Sequence, residues 1–318
     1  MFSTFTILLP VFGLIFAGFV CRRRGLLGHT AASELNKFVV WLALPALLFD
    51  IMAHATWQQL DQPAFIATFS IACAALFVLT LVARLMGGRH LADASVDAIA
   101  ASYPNTGYIG FPLCMILFGT ASLTPTTIAT ILVACVLFSG AIVLIEVGLQ
   151  TERAPHKLGL KVLAALLRNP LIVSPIVGAL FAATHLPVPQ SAETFLKLLG
   201  GAASPCALVS LGLFLAEKRS SDRPARPTTQ RDSFVLTAVK LFVQPALTWW
   251  LAARVFALPL ALVEMAVVLA ALPTGTGPYM LAEFYRREAD VTSRTILLST
   301  IGSLVTLSAL LLFVRHPG

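Results

Sequence analysis

The chain has 318 residues, 58% of them hydrophobic and only 12% charged, with a mean hydropathy of +0.86. A soluble domain carries about twice that share of charge, so the composition excludes an ordinary soluble fold and indicates an all-α polytopic membrane protein. The net charge of +7 then requires no nucleic-acid partner, because Lys and Arg collect in the cytoplasmic loops of such proteins.

Apolar windows near the length of a spanning helix fall at 2–21, 34–54, 63–86, 95–119, 123–149, 160–183, 192–215, 233–256, 260–285 and 293–314, which predicts ten spans. The first is followed, not preceded, by Arg22, Arg23 and Arg24, the order of a membrane helix and not of a cleaved signal peptide. Cations also follow the third span (Arg84, Arg89), the fifth (Arg153, Lys157, Lys161), the seventh (Lys218, Arg219, Arg223, Arg226, Arg231) and the ninth (Arg286, Arg287, Arg294). The opposite side holds only Arg254 and Arg315. The odd-numbered loops are therefore expected in the cytoplasm, with both termini outside.

The fourth span is the informative one. It contains Pro104, Asn105, Thr106, Gly107, Tyr108, Gly110 and Pro112, more helix breakers than a lipid-facing helix tolerates. Backbone groups freed at membrane depth must be satisfied by protein or by water in a cavity. The ninth span repeats the interruption at Pro273, Thr274, Gly275, Thr276, Gly277 and Pro278. Paired breaks at matching places in two halves point to a transporter binding site near the midplane.

Laying the halves over each other matches Pro10, Gly13, Phe16 and Ala17 with Pro175, Gly178, Phe181 and Ala182, and Lys37 and Pro45 with Lys197 and Pro205. Each half has an odd number of spans, so the repeat must be inverted. The expected organisation is a first five-helix repeat at 1–149, a cytoplasmic linker at 150–159 and an inverted second repeat at 160–318, with broken helices 4 and 9 crossing. Residues 217–232, with Pro224 and Pro227 and no apolar period, read as a second cytoplasmic linker.

A broken helix exposes the N–H groups that open its second half, and these carry partial positive charge. Two such ends meeting at one point make an anion site. The expected substrate-binding residues are Pro104, Asn105, Thr106, Gly107, Tyr108, Pro273, Thr274, Gly275 and Thr276, with Tyr103 and Tyr108 as lining or packing aromatics. Among ionisable residues within apolar runs, Asp50 is the candidate proton carrier. Asp97, Glu146 and Glu283 stand near helix ends and read as interfacial. The five cysteines form no CxxC pair, the six histidines are isolated, and no HExxH or GxSxG motif occurs. No metal, cofactor or enzymatic chemistry is expected.

At these residues the chain resembles the auxin efflux carrier family, which includes plant PIN-type auxin carriers and bacterial malate and malonate permeases. Asn36, Lys37, Phe38, Pro45, Leu48 and Phe49 are similar to its second helix. Pro104, Asn105, Thr106, Gly110 and Pro112 are similar to its first crossover, the most specific of the matches. Leu167, Arg168, Asn169 and Pro170 resemble its sixth helix, Pro205 and Ser210 to Leu213 its seventh, and Ala271, Leu272, Pro273, Gly275, Pro278 and Tyr285 its second crossover. The resemblance implies the fold shared with bile-acid symporters, with a scaffold domain of helices 1, 2, 6 and 7 and a transport domain of helices 3–5 and 8–10. It further implies a homodimer and elevator-type movement of small organic anions through a bilayer. The short linker after helix 5 departs from the long-looped plant carriers, which favours a bacterial inner-membrane carrier of a mono- or dicarboxylate such as malate or malonate. Two alternatives are a sodium-coupled bile-acid-type symporter and a non-transporting membrane receptor on the same fold. No Asp or Glu occurs at 102–111 or 271–281 to favour sodium.

Overall fold

In a computed structural model, the described residues are 2–54, 61–149, 167, 170–216 and 227–314. The expected linker at 150–159 and most of the polar stretch at 217–232 lie outside them. Among the described residues the regular structure is all helical, and six helices are long and apolar enough to cross a membrane: 31–53, 63–86, 106–149, 190–216, 229–255 and 289–312. The described residues fall into two compact units, 1–62, 107–128 and 167–222 on the one hand, and 63–106, 129–166 and 223–318 on the other.

Unit 1 contains α1 (Phe2–Arg23), α2 (Ala31–Phe38) and α3 (Leu44–Ala53), the last two continuous through a π-helical turn at Val39–Ala43. Pro45 stands inside this continuous helix, directly after the π-helical turn, where its missing N–H removes a helical hydrogen bond. Its other α-helices include Phe111–Phe118, most of Leu123–Ile131, Pro170–Ala183, Gln190–Gly201 and Ala203–Ala216. Small residues let these helices approach closely, as membrane helices do in the absence of a strong hydrophobic drive between them. A Cβ on Gly212 would overlap the Ile15 carbonyl oxygen, and one on Gly18 the Val209 carbonyl, so α1 and Ala203–Ala216 meet glycine to backbone from both sides. Helix Pro170–Ala183 packs on α3 in the same manner, with the Phe49 and Phe181 rings 6.1 Å apart. An apolar core of the unit gathers Val39, Leu44, Leu48, Tyr108, Phe111 and Ala207.

Unit 2 contains α4 (Pro63–Met86), α5 (Leu91–Ser102), α8 (Phe138–Leu149), α12 (Pro227–Ala238), α13 (Gln244–Trp250), α14 (Leu260–Ala271), α15 (Gly277–Tyr285) and α16 (Ala289–Val314). A π-helical turn at Val239–Val243 joins α12 to α13. The turn after α4 ends at Gly88, whose φ of 78° favours glycine, and the His90 ring accepts from the Ala92 amide to start α5. The Ala-rich α5 is buried on all faces from Ala94 to Ser102, and α14 from Met265 to Ala271. These two half-helices form the centre of the unit.

Candidate functional site

Both half-helices end where the sequence breaks, α5 at Ser102 and α14 at Ala271. There the chain extends, and the two extended pieces run antiparallel, with Pro104 bridged to Thr274. The Asn105 amide donates to the Pro273 carbonyl at 2.8 Å, and the Gly275 amide donates to the Tyr103 carbonyl at 3.0 Å. The two breaks are therefore tied to each other within unit 2 by their own backbones. The prolines serve this geometry, because a residue without an N–H loses nothing where no helical bond is available.

The carbonyls released by the two helix ends find donors elsewhere in the unit. Lys240 Nζ donates to the carbonyls of Ala270 at 2.8 Å and Leu272 at 2.6 Å. Gln244 Nε2 donates to the Ser102 carbonyl at 3.2 Å and approaches Cys73 Sγ at 3.3 Å. Lys240 and Gln244 are one helical turn apart and both fully buried, so a single helix face supplies a donor to the carbonyl end of each half-helix. The Thr274 hydroxyl donates to the Ala100 carbonyl at 2.9 Å, and the Thr274 amide donates to Ser299 Oγ at 3.1 Å. A cation at a helix C-terminus is attracted by the partial negative charge there, and an unanswered carbonyl at this depth costs free energy. Lys240 meets both demands at once.

The glycines of the second break have a steric reason. A Cβ on Gly275 would lie 2.9 Å from Tyr103 Cε1, and one on Gly277 2.8 Å from Tyr103 Cζ. The Tyr103 ring thus lies across the start of α15, and its other side meets Phe138 edge-on at 6.1 Å.

Of the expected site residues, Pro104, Asn105, Thr106, Pro273, Thr274, Gly275 and Thr276 belong to unit 2. Asn105, Thr106 and Thr274 are buried, and Thr276 is half-buried. Gly107 and Tyr108 belong to unit 1, where the Tyr108 hydroxyl donates to Asn36 Oδ1 at 2.6 Å and its ring joins the apolar core. Asp50 also belongs to unit 1, with Oδ1 3.3 Å from His54 Nδ1. Asp97, expected near the interface, has a fully buried side chain beside Arg84.

Lys240 and Gln244 escape a reading that counts cations by loop, because both stand inside the span at 233–256. The signal available was a lysine and a glutamine four residues apart in an apolar run, hence on one helix face.

The chain matches the family described as Membrane transport protein over residues 3–311. It belongs to the auxin efflux carrier family. This auxin efflux carrier family member is 29% identical to the protein named "Putative malonate transporter" of Rhizobium meliloti (strain 1021), over 97% of its own length and 95% of the relative's. It is 26% identical to an "Uncharacterized transporter" of Methanothermobacter thermautotrophicus, over 96% and 97% of the two chains. It is 20% identical to "Auxin efflux carrier component 8" of Arabidopsis thaliana, over 93% of each. Family membership makes it a multi-pass membrane transporter with a small-molecule substrate, in keeping with its long apolar helices.

Proposed function

We propose that this transporter carries a small organic anion, a mono- or dicarboxylate of the malonate and malate class, bound where helices 4 and 9 cross. In this reading it works by alternating access of the elevator type, a transport domain of helices 3–5 and 8–10 moving against a scaffold of helices 1, 2, 6 and 7, as a homodimer in a bacterial inner membrane with both termini outside. The observation that supports it is the antiparallel pairing of the two breaks within unit 2. Lys240 and Gln244 answer carbonyls at the negative ends of both half-helices, and the small polar residues Asn105, Thr106 and Thr276 stand at the breaks in the same unit as the positive amino end of α15. Such a site attracts a carboxylate and repels a cation. A buried lysine already stands at the helix C-terminus where a coupling cation would be drawn, so the reading is of a sodium-independent carrier. The name of the Rhizobium relative supports the malonate class.

The reciprocal packing in unit 1 supports the inverted repeat: the first span packs on the seventh and the sixth on the second, as exchange of the two halves requires. A thermal-shift screen of the purified protein tests the substrate class, because a ligand that binds only the folded state raises its apparent stability. Malonate or malate should raise the unfolding temperature and the neutral diamide of malonate should not. A panel of organic acids without effect, or an equal effect from the diamide, would contradict the reading.

A further inference from the structure

At one end of unit 2, five charged side chains from four segments meet. Arg84, in the last turn of α4, donates through Nη1 to Asp232 Oδ1 at 2.7 Å and holds Nε 3.0 Å from Asp97 Oδ2. Arg89, in the turn that follows, donates through Nη2 to Asp232 Oδ2 at 2.6 Å and through Nη1 to Glu288 Oε1 at 2.7 Å. Two guanidinium groups therefore serve three carboxylates, and the cluster is one negative charge in excess when all are ionised. Arg287 does not correct the balance, because its Nη1 lies 3.2 Å from both oxygens of Asp93. On the other elements packed against α5, Glu146 accepts from the Tyr285 hydroxyl at 2.8 Å, and Lys240 is turned to the Ala270 and Leu272 carbonyls. Arg231 and Asp290 are exposed, and Arg294 is half-buried.

The three carboxylates are not equivalent. The Asp97 side chain is 0% exposed, against 14% for Asp232 and 16% for Glu288. Asp232 accepts two hydrogen bonds and Glu288 one, whereas neither oxygen of Asp97 accepts any, the approach of Arg84 Nε being a charge contact without hydrogen-bond direction. A carboxylate removed from water and denied hydrogen bonds is costly to keep ionised. Burial also pushes the carboxyl of Glu288, in the turn before α16, above its usual range. One added proton removes the excess charge, and Asp97 is where it costs least.

Asp97 is also well placed for coupling. It stands in α5, the half-helix that runs into the first break and carries Tyr103, Pro104 and Asn105 at its end. We propose that Asp97 is the proton-binding site that couples proton movement to the organic anion, an inference that rests on the transport reading above. The carboxylate takes a proton from water on one side of the membrane, holds it on a carboxyl oxygen while the anion is bound, and returns it to water on the other side. The loaded unit then moves one charge fewer than with the anion alone. This assigns to unit 2 the role that the sequence offered to Asp50 in unit 1.

Two experiments on the full-length protein test it. Infrared spectra of the reconstituted wild type, with no substrate present, should show a protonated-carboxyl band that titrates with pH and is missing in Asp97→Asn. Identical spectra for the two proteins would overturn the proposal. In proteoliposomes, wild type should accumulate labelled malonate in response to an imposed pH gradient. Asp97→Asn should exchange malonate across the membrane as wild type does and yet show no accumulation above protein-free liposomes. Accumulation by Asp97→Asn at the wild-type level would overturn the coupling while leaving the transport reading intact, whereas a wild type that exchanges no organic acid would overturn both. If Asp97→Asn does not fold, Asp97→Glu keeps a titratable group in an altered position and must shift the pH midpoint of accumulation. An unchanged midpoint would count against Asp97.

Discussion

Unit 1 closes its helix pairs on glycine and apolar side chains, with Gly18 and Gly212 lying directly on the backbones of Val209 and Ile15. Unit 2 instead buries Lys240, Gln244 and Thr274 among its helices and binds its breaks through their hydrogen bonds, and it buries Asp97 beside Arg84. The close approach in unit 1 is available only to a residue without a side chain. A buried polar group is retained only where something must be answered, here the carbonyls of two interrupted helices. The difference lies in what is buried: glycine and apolar contacts between the helices of the first unit, and polar answers to broken helices in the second.

Four substitutions sharpen or break that contrast, each read as thermal stability of the purified protein. The largest effect is expected from Lys240→Met, which leaves the Ala270 and Leu272 carbonyls without their donor; at about 1–3 kcal/mol per unpaired buried group, the loss should reach about 2–6 kcal/mol. A Lys240→Met protein as stable as wild type would show that these carbonyls find other partners. Next comes Gly212→Leu in unit 1, where a side chain must displace the Ile15 carbonyl at a cost of about 1–3 kcal/mol. It should lower stability without selectively weakening ligand affinity, and a selective loss of affinity would blur the division between the units. Gln244→Leu removes one donor, to Ser102, and should cost about 1–2 kcal/mol. The smallest change is expected from Lys37→Ala, whose ion pair with Glu34 is solvent-exposed and should contribute less than about 0.5 kcal/mol.

The breaks at Pro104 and Pro273 were legible in the sequence because proline and glycine act locally, on the residues beside them. Their pairing was not, since Asn105 and Pro273 are far apart in the chain and meet only through the fold. The same limit hid the caps: Gln244 reaches Ser102 across 142 positions, and nothing near either residue announces the contact. Tyr108, read as a lining residue beside the break, turns its hydroxyl to Asn36, 72 positions earlier. Asp97 looked interfacial because it stands close to the start of a helix, yet Arg84 and its neighbours bury it. Local chemistry predicts where a helix stops, and long-range packing decides what answers the stop.

The central claim, an organic-anion site at the crossing that needs no sodium, is tested most directly by counterflow of labelled malonate into proteoliposomes in sodium-free and sodium-containing buffers, for wild type and Asn105→Ala. The account predicts wild-type counterflow of equal rate in both buffers. It also predicts that Asn105→Ala, folded to the same unfolding temperature, requires a higher malonate concentration, by a factor that corresponds to about 1–3 kcal/mol for one lost hydrogen-bond partner. Counterflow that appears only with sodium, or an Asn105→Ala protein with unchanged concentration dependence, would contradict it.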